Sequence, residues 1–536
     1  MRSAQWAGRL STGWAGALFS LVAGGAQAAS LALPWSGEAC GALQLMSLAG
    51  LVWQLDRTGR PAQAALSGGL FAWGWLTGTF WWLFISMHVY GGLAAPLAVL
   101  AVLGLAAFLG SYYLVAAGLY RWLAASAVQA GWQRPLLFSA LWTLAELLRG
   151  HWFTGFPWGA GGYAHVDGAA RWLAPWIGVY GCGAVMAGLA AVLAGAVGRR
   201  RWRGGASGLA VWAVLAWVPA PEWAASSSVL QVSLLQGNIP QDEKFQAGSG
   251  IPVALQWYDE QLQANRSPLV VAPETALPLL PEELPAGYWS ALLQRYGDGF
   301  PRPGQPPQAA LVGIPLGNSR AGYTNSVIGL LPSQGQPPYV YSKRHLVPFG
   351  EFVPPLFRWF TEMMDIPLGD FNAGDPGQPS MPWQGQRLAP NICYEDLFGE
   401  ELGARFRDPA QAPTILVNLS NIGWFGDSVA IDQHLNISRL RALEFARPMI
   451  RATNTGATAI IDHRGRVLQR LPSLRRAVLT GPVEGRGLVA GGQGWGITPY
   501  AWWVSRLGLA PLWGASLLVL LGFLWRRRAA VAPASI

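Results

Sequence analysis

Charge is what this chain lacks most. Of its 536 residues, 12% are Asp, Glu, Lys or Arg and 52% are hydrophobic. A soluble domain carries about 25% charged residues, so a purely soluble protein is excluded. A disordered one is excluded by the same wealth of apolar residues. Mean hydropathy of +0.27 is nevertheless too low for a chain embedded in a membrane throughout, and the balance points to a hybrid. Cysteine is scarce as well. Cys40, Cys182 and Cys393 are the three present, too few for a disulfide framework, and no pair has metal-site spacing. Lysine is almost missing: Lys244 and Lys343 are the only two. The net charge of +9 is therefore carried by arginine, and where the arginines fall decides whether nucleic acid is a partner.

What is present divides the chain. Up to about residue 225 the text is apolar runs broken by short Arg-bearing gaps; residues 226–490 read as ordinary soluble sequence; one apolar run and a basic tail, within 491–536, close it. A bilayer core requires about 17–25 apolar residues per span. Spans are expected near 12–33, 39–55, 65–88, 92–120, 135–150, 172–197, 206–221 and 505–525, about eight in a multi-pass helical bundle. With a cytoplasmic N-terminus, the inner segments hold Arg2 and Arg9, Arg57 and Arg60, Arg121 and Arg134, Arg199–Arg203, and the tail Arg526–Arg528. All five obey the positive-inside rule. Seven spans before residue 226 then place 226–490 outside the cytoplasm, with both termini inside. The positive charge becomes an orientation signal, and nucleic acid is not an expected partner. The opening residues also imitate a cleavable signal peptide ending at Ala26-Gln27-Ala28, but the charge alternation uses this segment as a span.

The middle block reads as α/β. Strands are expected at Val229–Leu235, Pro268–Ala272, Ala309–Ile314, Ser326–Leu331, Tyr339–Tyr341, Leu388–Ile392, Thr414–Leu419 and Ala457–Ile461, and helices near Val253–Asn265 and His434–Ala446. Three strands run into reactive side chains: Pro273-Glu274-Thr275, Ser342-Lys343, and Ile392-Cys393-Tyr394-Glu395. Such ends are expected to converge on one edge of a sheet. Together Glu, Lys and Cys suffice for acyl transfer. A thiolate attacks, an ammonium lowers the thiol pKa, a carboxylate moves the proton, and the ammonium with the Tyr394 N–H holds an oxyanion. The scheme needs no metal and no organic cofactor. Taken singly, each residue has a plainer reading. A lone Cys at a strand end is more often an inert small hydrophobe, a Glu after Pro a loop residue, and a Lys after a strand a surface charge.

The flanking strings reverse that weighing. Gln236–Gln241, Pro273–Pro278, Lys343 through Pro354, Ile392–Glu395, Asn418–Asn421, Trp424–Gly426, Arg441–Glu444, Arg447-Pro448 and Arg451–Asn454 resemble the nitrilase superfamily, whose Glu–Lys–Cys triad sits on an αββα sandwich. With Glu146–Gly150 and Thr154–Trp158 added from the membrane half, the chain resembles the apolipoprotein N-acyltransferase family along almost its full length. The resemblance implies a bacterial inner-membrane enzyme with its catalytic domain facing the periplasm. It implies that Cys393 attacks a phospholipid ester, typically phosphatidylethanolamine, to form a thioester. The N-terminal amine of a diacylglyceryl-cysteine apolipoprotein then takes the acyl chain. Glu274 would be the general base, Lys343 the oxyanion stabiliser, Glu351 and Glu395 supporting carboxylates that orient Lys343, and Tyr394 a lining residue. Because both substrates are lipid-anchored, the site is expected at the outer bilayer surface.

Two positions depart from the family pattern. Ile422-Gly423 stands where Asp-Ala is usual, and Phe245 where an indole commonly follows the Gln236–Gln241 string. Substrate-binding candidates are Phe245, Asn238, Trp424 and, in the membrane half, Glu146 and Arg149. Intramembrane charge is costly, so the last two read either as a mutual pair or as a lipid-headgroup site. Trp73, Trp75, Trp81, Trp82, Trp152 and Trp158 read as an interfacial belt. His345 and His434 have no metal spacing and read as ordinary polar residues. Two alternatives stand beside the acyltransferase: a membrane-anchored amidase using water as acceptor, and a non-enzymatic binding domain on a transporter-like bundle. Eight spans are more than an anchor needs, and an intact triad disfavours a binding module.

Overall fold

The structure is a computed structural model. It describes residues 13–125, 131–198, 208, 210, 213–214, 221–297, 306–332, 335, 337–353, 371–488 and 496–531. The chain divides into two compact units. One comprises residues 1–84, 94–220 and 507–536; the other comprises Ile85–Leu93 and Pro221–Arg506.

The first unit is helical: Trp14–Ala29, Gly41–Arg57, Pro61–Phe80, Ala95–Ala124, Gln133–His151, Ala174–Gly198 and Ala510–Val531. Its surface inverts that of a soluble bundle. Along Ala95–Ala124 the exposed side chains include Leu97, Val99, Leu100, Phe108, Leu114 and Val115, while Ser20, Gln27, Gln44, Gln54, Glu146 and Arg149 are buried. Polar groups inside a bundle must find partners there. Ser20 Oγ donates to Gln54 Oε1 at 3.0 Å, and Gln54 Nε2 donates to the Gly16 carbonyl at 2.9 Å. Small residues let helices approach closely: a Cβ on Gly68 would lie 2.3 Å from that of Ala117. Among the described residues, Ala95–Ala124 and Arg171–Ala196 are each long and apolar enough to cross a membrane, and Pro499–Leu507 with Ala510–Ala529 makes a third if taken as one span. The other expected spans form shorter or less apolar helices; Trp14–Ala29 has 16 residues and Gln133–His151 carries Glu146 and two Arg. The span expected at 206–221 falls mostly outside the described residues.

The expected tryptophan belt is in large part an internal core. Trp75, Trp82 and Trp158 are buried. Trp75 stacks on Trp142 with ring centroids 5.7 Å apart, and Trp82 lies 4.8 Å from Trp158. Trp81 and Trp152 are exposed. An indole fills interhelical space better than any other side chain, and spacing along a sequence does not separate that use from surface anchoring.

The second unit holds two six-stranded sheets. The strands are β1 Ala225–Gln236, β2 Leu269–Ala272, β3 Ala309–Asn318, β4 Gly322–Leu330, β5 Tyr339–Ser342, β6 Met381–Trp383, β7 Gln386–Ile392, β8 Ile415–Ser420, β9 Met449–Thr453, β10 Ala459–Ile461, β11 Val467–Arg470 and β12 Ala477–Gly487. One sheet runs β12-β1-β2-β3-β4-β5 and the other β11-β10-β9-β8-β7-β6. Pairs β1–β2, β2–β3, β7–β8 and β8–β9 are parallel, so each sheet is mixed. Period-two alternation assigns the faces. Leu269, Val271, Ala309 and Leu311 meet Leu388, Ile415, Val417 and Ile450 between the sheets. Val270, Ala272, Ala310 and Val312 turn outward onto Tyr258 and Leu262 of helix Gly250–Ala264 and Leu292 of helix Tyr288–Tyr296. Helix Ala430–Phe445 belongs with the second sheet, through its His434 and Ser438. This is the αββα layering that the sequence resemblance implies. Reading the sequence delimited eight strands, placed a further one after the Asp462–Gly465 turn, where β11 lies, and overlooked β6, β9 and β12. β6 has three residues, and the outward face of β9 carries Arg451, which hides its alternation.

Candidate active site

β2, β5 and β7 end at Glu274, Lys343 and Cys393. The expected convergence on one sheet edge is corrected: β2 and β5 belong to one sheet and β7 to the other, so the residues gather across the sandwich. Stacking of the two sheets through the Leu388–Ile415–Val271 core brings the strand ends together.

Cys393 opens a 3₁₀ turn, Cys393–Leu397, at φ 55°. A non-glycine residue in this left-handed region carries strain of about 1–3 kcal/mol and persists only where surroundings hold it. Here Asn418 Nδ2 donates to the Cys393 carbonyl at 2.9 Å, and the Ile392 N–H donates to Glu395 Oε2 at 2.6 Å. Behind the turn, Asp396 accepts from His434 Nε2 at 3.0 Å and Arg451 at 3.3 Å, and from Ser438.

Glu274 follows Pro273, with Thr275 also left-handed at φ 46°. The corner lies against β3 so closely that a Cβ on Gly313 would meet the Pro273 carbonyl oxygen at 2.2 Å. Glu274 Oε1 accepts from Asn325 Nδ2 at 2.8 Å and Lys343 Nζ at 3.3 Å; its Oε2 accepts the Asn421 N–H at 2.8 Å. Lys343 Nζ also donates to Glu351 Oε1 at 2.9 Å, and Asn325 Nδ2 reaches that same oxygen at 2.7 Å. Glu351 Oε2 accepts the Val347 N–H at 2.8 Å, which closes the loop on itself.

Glu395 sits differently from expectation. Its carboxylate makes no hydrogen bond to Lys343 but accepts the Tyr341 hydroxyl at 2.8 Å and the Arg344 N–H at 2.6 Å, besides Ile392. It therefore ties the Tyr341 side chain and the backbone just after Lys343 to the backbone before Cys393. Tyr394 has its ring 5.6 Å from Lys343 Nζ, and its hydroxyl donates to the Leu346 carbonyl.

Protonation follows from these surroundings. Burial pushes the Cys393 thiol up to about 12, with the Glu274 charge adding to it and Lys343 opposing. Burial alone would raise the Glu274 carboxyl, but the Lys343 and Lys244 ammonium groups and hydrogen bonds from Asn325 and Asn421 outweigh it and hold it below its usual range. Burial would likewise lower Lys343, yet Glu351 and Glu274 hold it well above the usual lysine value. The resting arrangement is thus a neutral thiol beside a carboxylate and an ammonium. It can move a proton from sulfur to carboxylate and offer a cation to an oxyanion.

These neighbours match known proteins along nearly the whole chain. Residues 27–192 match the family described as apolipoprotein N-acyltransferase N-terminal domain, and residues 231–485 match carbon-nitrogen hydrolase. The apolipoprotein N-acyltransferase of Verminephrobacter eiseniae is 60% identical over 92% of this chain and 93% of its own length. That of Ralstonia nicotianae is 45% identical over 91% of this chain and 90% of its own.

The chain belongs to the apolipoprotein N-acyltransferase family.

As a member of that family with a carbon-nitrogen hydrolase domain, it is an acyltransferase. Other sequence candidates are scattered. Asn238, at φ 45°, donates through Nδ2 to the Leu474 carbonyl at 3.1 Å and so closes a loop. Phe245 is half-exposed beside Lys244. Trp424 lies in the turn Ile422–Phe425 with its ring edge on Tyr90, centroids 5.9 Å apart. Ile422, where the family pattern has a carboxylate, is buried. Glu146 and Arg149 belong to the first unit and are both fully buried. They do not bond each other: Glu146 accepts the Gly161 N–H at 2.9 Å, and Arg149 donates to Tyr113 and to the Phe156 and Trp158 carbonyls. His345 pairs with Glu401 at 2.8 Å and stacks on Phe398.

Three residues of the cluster escaped sequence reading. Asn325 bridges the two carboxylates from the middle of β4, and nothing in its local sequence marks it. Asn421 acts through its backbone N–H, to which residue type is blind. Lys244 left one signal, its rarity.

Proposed function

We propose that this enzyme transfers an acyl chain from a phosphatidylethanolamine-like phospholipid, through a Cys393 thioester, to the N-terminal amine of diacylglyceryl-cysteine apolipoproteins. The observation that carries this reading is the cluster of buried Glu274 and Lys343 with half-buried Cys393, in a chain whose relatives carry that activity in their names. In the first step, Glu274 takes the thiol proton as sulfur attacks the ester carbonyl. Lys343 and the Tyr394 N–H stabilise the oxyanion. The carbon–oxygen bond breaks, and Glu274 returns the proton to the leaving lysophospholipid oxygen. In the second step, the acceptor amine attacks the thioester and loses a proton to Glu274. The carbon–sulfur bond then breaks, and sulfur leaves as the thiol with that proton. Glu351 and Asn325 keep Lys343 aimed, Glu395 fixes the backbone on which Lys343 and Cys393 stand, and Tyr394 lines the site. Phe245, Trp424 and Asn238 shape the approach of the acyl chain.

The same reading places the chain in a bacterial inner membrane with about eight spans. Residues 1–225 form the membrane domain, 226–490 the periplasmic catalytic domain, and 491–536 a last span with a cytoplasmic basic tail. The apolar exposed faces of the first unit support lipid contact. Glu146 and Arg149, buried on internal partners, fit a role inside that domain better than one at a headgroup.

Incubating the enzyme with phosphatidylethanolamine and mapping Cys393 by mass spectrometry should reveal an added acyl mass, absent in Cys393→Ala. Adding a diacylglyceryl lipopeptide should move that mass to the peptide amine. Release of free fatty acid alone, with no acylated peptide, would make water the acceptor and overturn the N-acyltransferase reading.

A further inference from the structure

The chain has two lysines, and both ammonium groups lie at Glu274. Lys343 is the expected one. Lys244, in the turn after the Gln236–Gln241 string, is 1% exposed. Its Nζ donates to the Glu274 carbonyl oxygen at 3.1 Å and to Thr275 Oγ1 at 2.7 Å. Both acceptors are neutral, so the hydrogen bonds leave its charge uncompensated at close range. A buried ammonium costs several kcal/mol unless negative charge offsets it. The group that offsets this one at rest is the Glu274 carboxylate.

Charge balance shows what Lys244 does there. Glu274 and Glu351 are both buried and share one ammonium, Lys343, which is closer to Glu351 (2.9 Å) than to Glu274 (3.3 Å). Two carboxylates sharing a site push the pKa of one of them up. During acyl transfer Lys343 must also serve an oxyanion, which weakens its hold on Glu274 further. We propose that Lys244 is a positioning residue of the acyl-transfer site: it pins the Glu274–Thr275 corner and supplies the second positive charge that keeps Glu274 ionised beside Glu351. The corner needs pinning, because Thr275 stands in the left-handed region. Burial draws the Lys244 ammonium down to about 8, with the Glu274 carboxylate pulling it back up, so it remains mostly charged at neutral pH. The charged and titratable groups facing Glu274 are Lys343, Lys244, Glu351 and Cys393; Asp242 and Glu243, on the Lys244 turn, are exposed.

This inference rests on Glu274 acting as base to Cys393, so its test avoids the lipid substrate. Full-length enzyme in detergent is treated with iodoacetamide from about pH 2.5 to about pH 8, and carbamidomethylation of Cys393 is followed by peptide mass spectrometry. In the unaltered enzyme the rate should fall at the acid end as Glu274 protonates, and Glu274→Gln should abolish that fall. Glu274→Gln without effect on the profile would remove the base assignment itself. Lys244→Gln should move the acid limb to higher pH by at least about one unit, while Lys244→Arg, which retains the charge, should hold it near its original position. An unmoved limb in folded Lys244→Gln, or an equal shift in Lys244→Arg, would overturn the charge assignment. Should Lys244→Gln not fold, Lys244→Met, which also removes the charge, is read in its place: a limb moved to higher pH supports the assignment, and an unmoved one sinks it.

Discussion

A neutral thiol and an ionised carboxylate in one cluster set the order of events at the residue scale. Sulfur does not rest as thiolate here, because burial and the Glu274 charge outweigh Lys343. In the proposed acyl transfer the proton therefore leaves as the carbonyl is attacked, and Glu274 is the carboxylate proposed to take it. The pH dependence follows with a definite sign. Glu274 is held below its usual range, so it is ionised and active at and above that range and fails only as pH falls through its lowered pKa. Acyl-enzyme formation, measured in single turnover, should have its acid limb below the ordinary Glu value of about 4.3. A limb near pH 6–7 would mean that Glu274 carries a proton at rest. Much of this cluster was legible in the sequence, since Glu274, Lys343 and Cys393 each end a strand and Lys343 is rare in an arginine-rich chain. Its tuning was not. Asn325 and the Asn421 N–H act on Glu274 from positions 51 and 147 residues away, and no local pattern signals such a partner.

Elements matter because a side chain is only as well aimed as the backbone beneath it. Glu274 rides on a corner whose closeness to β3 leaves room for glycine alone at Gly313. Gly313→Ala would force the added methyl against the Pro273 carbonyl and displace Glu274 without altering any reacting group. A shift of about 1 Å can cost about 10²-fold in rate. Steady-state kinetics should show that loss in kcat, with the KM for phospholipid little changed; unaltered kcat would mean that the corner gives way freely. The Glu395 carboxylate works at the same scale. By accepting from Tyr341, Arg344 and Ile392, it stitches β5 of one sheet to β7 of the other where Lys343 and Cys393 emerge. The sequence marked Glu395 as a supporting carboxylate through its place in the Cys393 string. That it acts on backbone N–H groups, and makes no hydrogen bond to the lysine, needed the fold.

At the scale of the whole molecule, the arginine pattern meets a geometric counterpart. Arg121 donates to the Thr58 carbonyl, Arg134 pairs with Asp56, and Arg527 donates to the Trp122 carbonyl and covers the Trp122 ring. Three of the segments expected on the inner side therefore meet at one end of the helical unit. Which side of the membrane that end faces is a matter for labelling. In intact spheroplasts, a membrane-impermeant maleimide should modify Ser319→Cys, in the exposed β3–β4 turn, and spare Arg528→Cys near the C-terminus. Modification of Arg528→Cys with protection of Ser319→Cys would invert the orientation.

The sequence alone determined what composition, periodicity and rare residues can carry. It separated apolar helices from an α/β block, because membrane and water demand different side chains over whole segments. It located Glu274, Lys343 and Cys393, because strand ends and the strings around them are local. Tertiary structure decided everything that depends on distant segments meeting. It set the two sheets face to face, so that the triad assembles across them. It buried Trp75, Trp82 and Trp158 in a helical core and gave Glu146 and Arg149 separate internal partners. It also brought Lys244 against Glu274, 30 residues further along the chain. Burial and field at a side chain are sums over neighbours in space, and those neighbours are chosen by the fold.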